Sequence, residues 1–149
     1  MSAEQTAGPI MTVEEVERFL DDVFPELHQE GRLTRIEALG PLSARLRLAY
    51  SARNLRPGGT VSGPAMMALA DHAMYVAVIA HIGPVALAVT THLSIDFLRK
   101  PAQKDLIAEV RIVKLGKRLA VGQVTLISEG GDAGAPAALA SCTYSIPPR

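Results

Sequence analysis

Apolar residues recur at two different periods in the first third of the chain, and the change of period marks a change of element. Val13, Val16, Phe19, Leu20 and Val23 fall at helical spacing, with Glu14, Glu17, Arg18 and Asp21 on the other side. Thr12 followed three places on by Glu15 is a capping box, so a helix starts there and lays one stripe over an edge of the fold. From Arg32 the period becomes two. Leu33 to Leu39 is a short strand, Gly40-Pro41 turns, and Leu42, Ala44, Leu46, Leu48 and Tyr50 alternate with Ser43, Arg45 and Arg47. This pattern predicts a hairpin with one solvated face.

A polar loop from Ser51 to Gly59 leads into a helix over about Pro64 to His81, with proline in its first turn. Ala65, Met66, Met67, Leu69, Ala70, Ala73, Met74, Val76, Val78 and Ile79 leave this helix no charged face, so it should be wrapped by other elements. Gly83-Pro84 ends it. Val85, Leu87, Val89, Thr91, Leu93, Ile95 and Phe97 then alternate, which sets Thr91 on the apolar face and predicts a strand too long for a sheet edge. Three further strands follow, at 106–115, 119–128 and 137–146, separated by turn-forming segments. The order is helix, two strands, buried helix, four strands. An α+β fold in which a curved antiparallel sheet wraps one long helix is the simplest way to hide that helix. Residues 1–11 are expected to form a flexible tail and residues 12–149 a single domain.

At 149 residues, 48% of them hydrophobic, the chain suffices for one core and is short for two. Lys+Arg and Asp+Glu number 15 each, so no overall field draws the protein to nucleic acid or an anionic membrane. With 4% aromatics and no tryptophan, stacking platforms for single-stranded nucleic acid are also excluded. The single cysteine, Cys142, rules out an internal disulfide and any multi-cysteine metal site, and fits a reducing interior. No signal-type segment precedes Met11, and Asp71 and His72 interrupt the apolar run from Val61 to Ile82, so a cytoplasmic protein is expected.

Candidate chemistry centres on the run Gly58 to Pro64 and on Asp71, the one acid inside the apolar helix. A helix N-terminus presents N–H groups suited to an oxyanion, and a carboxylate on a dry wall can act as general base or attack an acyl carbon. Asp71 lies eight residues after Gly63, roughly 12 Å along one helix, so another chain or a curving strand must close such a site. Against this stands a plain ion pair with an arginine, or a cap on a neighbouring turn. His72 points about 100° away from Asp71. Tyr75 shares the Asp71 face, where its hydroxyl would touch the carboxylate or a substrate, or its ring would fill the core. Ser62 is placed to cap the helix, and Cys142 reads as a packed thiol. Arg99 with Lys100, and Lys117 with Arg118, are two cationic corners that either grip phosphates or sit solvated. Neither a Walker A loop nor a Rossmann turn is present.

Asn54, Gly59-Thr60-Val61-Ser62-Gly63-Pro64, Leu69-Ala70-Asp71-His72-Ala73, Leu93 to Arg99 and Gly116 to Ala120 together resemble the hotdog-fold thioesterases of the PaaI type, over about residues 45–146. The resemblance implies hydrolysis of an acyl-CoA thioester. Gly63 N–H would polarise the carbonyl and Asp71 would be base or nucleophile. Asn54, with Arg56 as a rival, and Thr90 would orient water or acid. It also implies an obligate homodimer, often a dimer of dimers, with sites between subunits and with no metal and no cofactor beyond the CoA of the substrate. Ser62, Met67, Met74 and Tyr75 then belong to the substrate-binding set. Met66, Met67, Met74 and Tyr75 as a pocket wall favour an apolar or aromatic acyl group, and Arg99, Lys100, Lys117 and Arg118 are the candidates for the nucleotide phosphates. The sequence departs from the family loop Gly-Thr-x-His-Gly-Gly in having Ser62-Gly63-Pro64, in the added Pro57-Gly58, and in Arg99-Lys100-Pro101 for Arg-Pro. Two other readings share the fold. One is a hydratase or dehydratase using His72 or His92, and the other is a non-catalytic acyl-CoA or lipid binder.

Overall fold

The structure, a computed structural model, describes residues 8–28 and 31–148. Most of the expected tail, residues 1–7, lies outside the described residues. Of its remainder, the Ile10 and Met11 amides donate to the Ala80 carbonyl at 2.8 and 3.2 Å.

Helix α1 spans Val13–Val23 and begins at the expected capping box, with Glu15 N–H on Thr12 Oγ1 and Thr12 N–H on Glu15 Oε1. Val16 and Leu20 are its buried residues, and the helix packs against the first strand and the long helix. Val23 is not core: the stripe runs past the packed region, leaving Val23 and the following Phe24 43% and 49% exposed.

Strands β1 (Thr34–Gly40) and β2 (Ser43–Leu48) form the hairpin. Helix α2 (Gly63–Ile82) is followed by β3 (Val89–Phe97), β4 (Leu106–Leu115), β5 (Leu119–Ser128) and β6 (Ala138–Ser145). All pairings are antiparallel, in the spatial order β1-β2-β4-β5-β6-β3. Strand β3 is therefore an edge despite its nine residues, contrary to the expectation from its length. Residues 85–88 turn before it rather than extending it.

Helix α2 crosses the sheet and touches every strand, as its all-round apolar surface demands. It is long and apolar enough to cross a membrane, but most of it is buried inside this domain. Small residues let the sheet approach it. Ala70, Ala73, Ala77 and Ala80 are fully buried, and Gly122 on β5 makes room for Met74. Ser62 caps its start by accepting from Ala65 N–H at 3.3 Å, and Gly83, at φ +103°, ends it. Near that end the buried His81 accepts the Leu42 N–H at 2.9 Å on Nε2, and its Nδ1 meets the Ala77 carbonyl at 2.7 Å. This ties the β1–β2 turn to the helix.

Candidate active site

Asp71 sits midway along α2, half-buried, opposite the start of β3 and the end of β6. Its Oδ1 accepts the Thr90 hydroxyl at 2.5 Å and the Tyr144 hydroxyl at 2.8 Å. Tyr144 Oη also lies 2.9 Å from the Asp71 main-chain carbonyl. No arginine or lysine pairs with this carboxylate among the described residues, so the plain ion-pair alternative does not hold.

Thr90 reaches the acid because β3 carries a bulge. Thr90 pairs with Tyr144 and His92 with Thr143, leaving Thr91 as the extra residue. The strict alternation that set Thr91 on the apolar face is broken there: Thr91 is exposed, and its hydroxyl approaches the Thr143 carbonyl at 3.4 Å.

Asp71, Thr90 and Tyr144 stand in the wall of a cleft of about 520 Å³. Most of the lining is apolar: Val23 and Phe24 from the end of α1, Leu27 from the 3-10 turn that follows (Pro25–His28), Ala68 from α2, and residues 86–89. His72 and Tyr75 complete it. The Tyr75 hydroxyl donates to the Ala86 carbonyl at 3.1 Å instead of to the carboxylate, and its ring lies 6.1 Å from that of Tyr144. Burial raises the Tyr75 phenol above its ordinary range. In Tyr144 burial does so more strongly, Thr90 opposes it and the Asp71 charge adds to it. Burial, with a contribution from Asp71, pushes the Cys142 thiol up to about 12, which fits an inert packed residue.

Gly63 lies at the other end of β3. A Cβ built on it would stand 3.5 Å from the Phe97 ring, and it lines a second cleft, of about 360 Å³, with Arg56, Met66, Phe97, Arg99 and Lys100 among others. Among the described residues nothing accepts its N–H. The loop before it is a tight turn, with Gly58 and Gly59 at φ +102° and +86°. Gln103 and the Tyr50 hydroxyl hold it through the Gly58 and Gly59 carbonyls. One chain thus keeps Asp71 and Gly63 in separate clefts.

The other expected residues divide. Asn54 lines a smaller hollow with Leu27, Ala68 and His72, all three shared with the Asp71 cleft, so it approaches that site from the side. Arg56 goes instead with Gly63. Ser62 spends its hydroxyl on the helix cap. Met74 is a correction: it is fully buried against Gly122 and lines neither the Asp71 cleft nor the Gly63 cleft. Met67 is 43% exposed on the surface of α2 and lines neither cleft. Lys117 and Arg118 are exposed in the β4–β5 turn, at the Thr90 end of the sheet, whereas Arg99 and Lys100 follow its Phe97 end. The two cationic corners therefore do not meet within one chain. His92 is exposed and outside the Asp71 cleft.

Tyr144 was not anticipated. It falls in phase with Ala138, Ala140 and Cys142 on the buried face of β6. A phenol in such a row must find a partner for its hydroxyl, and that was the available signal.

The sequence pattern of the thioesterase superfamily matches residues 58–135. A solved structure of a provisionally assigned thioesterase from Silicibacter sp. TM1040 is 46% identical, covers 97% of this chain and 97% of its own, and superposes with a TM-score of 0.85. A mutant of the phenylacetic acid degradation protein PaaI from Thermus thermophilus is 25% identical over 85% of this chain and 100% of its own, with a TM-score of 0.66. Zebra fish thioesterase superfamily member 2 covers 92% of this chain and 99% of its own with a TM-score of 0.76. At 16% identity that is a likeness of fold. The curved sheet around one long helix, with a helix before it, is the hotdog architecture of these structures. No curated protein matches the chain significantly.

Proposed function

The chain belongs to the thioesterase superfamily, and from that premise we propose that it hydrolyses an apolar or aromatic acyl-CoA thioester to the free acid and CoA, in the cytoplasm and without a cofactor. The observation that carries the proposal is the Asp71 carboxylate, anchored by two hydroxyls and otherwise facing an apolar cleft. Asp71 takes a proton from a water whose oxygen bonds to the carbonyl carbon. The C–S bond then breaks and the proton passes to the departing thiolate. In the other version Asp71 attacks directly, the C–S bond breaks and the CoA thiolate leaves; water then cleaves the resulting anhydride, its proton passing to the thiolate, which frees the acid and restores the Asp71 carboxylate.

The oxyanion needs a donor, and the Gly63 of the partner subunit supplies it in a homodimer. Gly63 stands beside Phe97 and Asp71 beside Thr90, at opposite ends of one edge strand. Antiparallel pairing of two such edges brings each Gly63 end to the other chain's Asp71 end. The same pairing brings the partner's Arg99 and Lys100 toward Lys117 and Arg118, which together would grip the nucleotide phosphates. Exposed Leu87, Val89 and Phe97 along that edge support the pairing. Two dimers would pair into a tetramer. One oxyanion donor is worth about a hundred- to a thousandfold in rate.

Pro64, which has no N–H beside Gly63, favours the reading as a non-catalytic acyl-CoA binder. Free-thiol release across short, long and aryl acyl-CoAs separates the two. On the hydrolytic reading thiol is released, and Asp71→Ala loses most turnover while remaining a folded dimer. Undiminished kcat in Asp71→Ala ends the role of Asp71, and tight binding with no thiol released favours the binder.

A further inference from the structure

Two donors converge on one oxygen of Asp71, and only one of them was expected. The Tyr144 hydroxyl has a single hydrogen and two acceptors in reach, Asp71 Oδ1 at 2.8 Å and the Asp71 carbonyl at 2.9 Å. The charged acceptor wins, since hydrogen bonds to an ionised oxygen are roughly twice as strong as neutral ones. Oδ1 then holds both Thr90 and Tyr144, and among the described residues nothing donates to Oδ2. Tyr144 is 3% exposed on the buried face of β6 near its end, with its ring beside that of Tyr75, so burial holds it in place. We propose that Tyr144 is a positioning residue for Asp71: its hydroxyl locks the carboxylate with Oδ1 turned to the protein and Oδ2 turned to the cleft, and so makes Oδ2 the oxygen that meets water or the acyl carbon.

This rests on the thioesterase reading for its kinetic consequence, and on geometry alone for its structural one. The phenol stays protonated across the working range because burial disfavours the phenolate, so it is a donor throughout. The other groups around the carboxylate are His72 and Tyr75 on α2 and Cys142 on β6; β3 contributes Thr90 and Val89, and the end of α1 contributes Val23 and Phe24, none of which titrates. Removing the Tyr144 donor therefore leaves the carboxylate in a less fixed orientation.

The test uses the full-length Tyr144→Phe variant, which keeps the ring, beside Thr90→Val. With a turned-over acyl-CoA, Tyr144→Phe is expected to lower kcat about tenfold with KM nearly unchanged. Isotope-edited infrared spectra, with Asp71→Asn as the blank, give a readout that needs no turnover. Unequal hydrogen bonding of the two oxygens widens the gap between the antisymmetric and symmetric carboxylate stretches, and this gap narrows in Tyr144→Phe and further in the double variant. A folded Tyr144→Phe with an unchanged kcat and an unchanged gap overturns the proposal. If Asp71→Ala keeps full turnover while the gap still narrows, the proposed reaction chemistry fails and the positioning of the carboxylate stands.

Discussion

Thr90 Oγ1 donates to Asp71 Oδ1 at 2.5 Å because Thr91 is squeezed out of the ladder between β3 and β6. The bulge turns Thr90 toward the helix, directly across from Tyr144, and turns Thr91 to solvent. Two adjacent threonines of identical chemistry are thereby given different tasks. Thr90→Val removes a bond to a charged oxygen and is expected to cut kcat by about ten- to a hundredfold. Thr91→Val should stay within about twofold of wild type, as exposed positions usually do. Steady-state kinetics on the pair checks this, and equal losses would mean that the bulge does not sort them.

The Sδ of Met74 lies 2.7 Å from where a Cβ on Gly122 would stand, and the Arg111 carbonyl lies 3.0 Å from it. Met74 is fully buried and cannot leave without displacing the core. Gly122→Ala should therefore destabilise the protein by about 1–3 kcal/mol through overpacking. In a Met74→Ala background the same change should cost less, because the space is then open. Urea unfolding of the four proteins measures the coupling, and strict additivity would contradict the contact.

The wrapping of α2 was legible in advance, since no residue between Ala73 and Ala80 offers a charge to solvent and the element is too long to be a strand. Strands β4 and β5 matched their expected bounds because glycine, proline and charged turns punctuate them. The edge position of β3 was not legible: alternation reports which residues share a face, never which strand lies alongside. The bulge was hidden for a related reason, because one extra residue inverts the phase of Thr90 and Thr91 while leaving the composition unchanged. Met74 was read as a cleft wall because helical spacing cannot foresee that β5 offers Gly122 opposite it. Tyr144 drew no reading from the sequence, and only the crossing of α2 over β6 shows where its hydroxyl goes.

Acid should unfold the protein partly through its sheet surface. The Arg47 guanidinium bonds Glu37 Oε2 at 2.6 Å, Asp105 Oδ2 at 3.0 Å and Glu129 Oε2 at 2.5 Å. Hydrogen bonding from Arg47 holds the Glu37 carboxyl below its ordinary range, with Arg45 adding less, and the Tyr50 N–H followed by Arg47 does the same for Asp105. A carboxyl depressed in the folded state contributes stability above its unfolded value, near pH 4, and that contribution is lost as pH falls through the lower folded value. Stability should thus be level near neutrality and decline below about pH 4. Arg47→Leu should lower stability at neutral pH and make the acid decline shallower. Since these pairs are partly exposed, about 1 M salt should shrink the difference. Thermal unfolding against pH checks the sign, and an unchanged acid slope in Arg47→Leu would contradict it.

Mixing two inactive variants distinguishes a shared site from one built within a single chain. Asp71→Ala removes the acid, and Gly63→Pro removes the N–H at the first helical position, where proline is tolerated. Each homodimer should be folded and nearly inactive. If every site joins the acid of one chain to the N–H of the other, a mixed dimer holds one dead site with both defects and one intact site with neither. Random re-pairing after co-refolding should therefore restore about a quarter of wild-type turnover. If acid and donor came from the same chain, every site in the mixed dimer would carry one defect and activity would not return. The separation of Asp71 and Gly63 into different clefts of one chain, roughly 12 Å apart along α2, makes recovery the expected result.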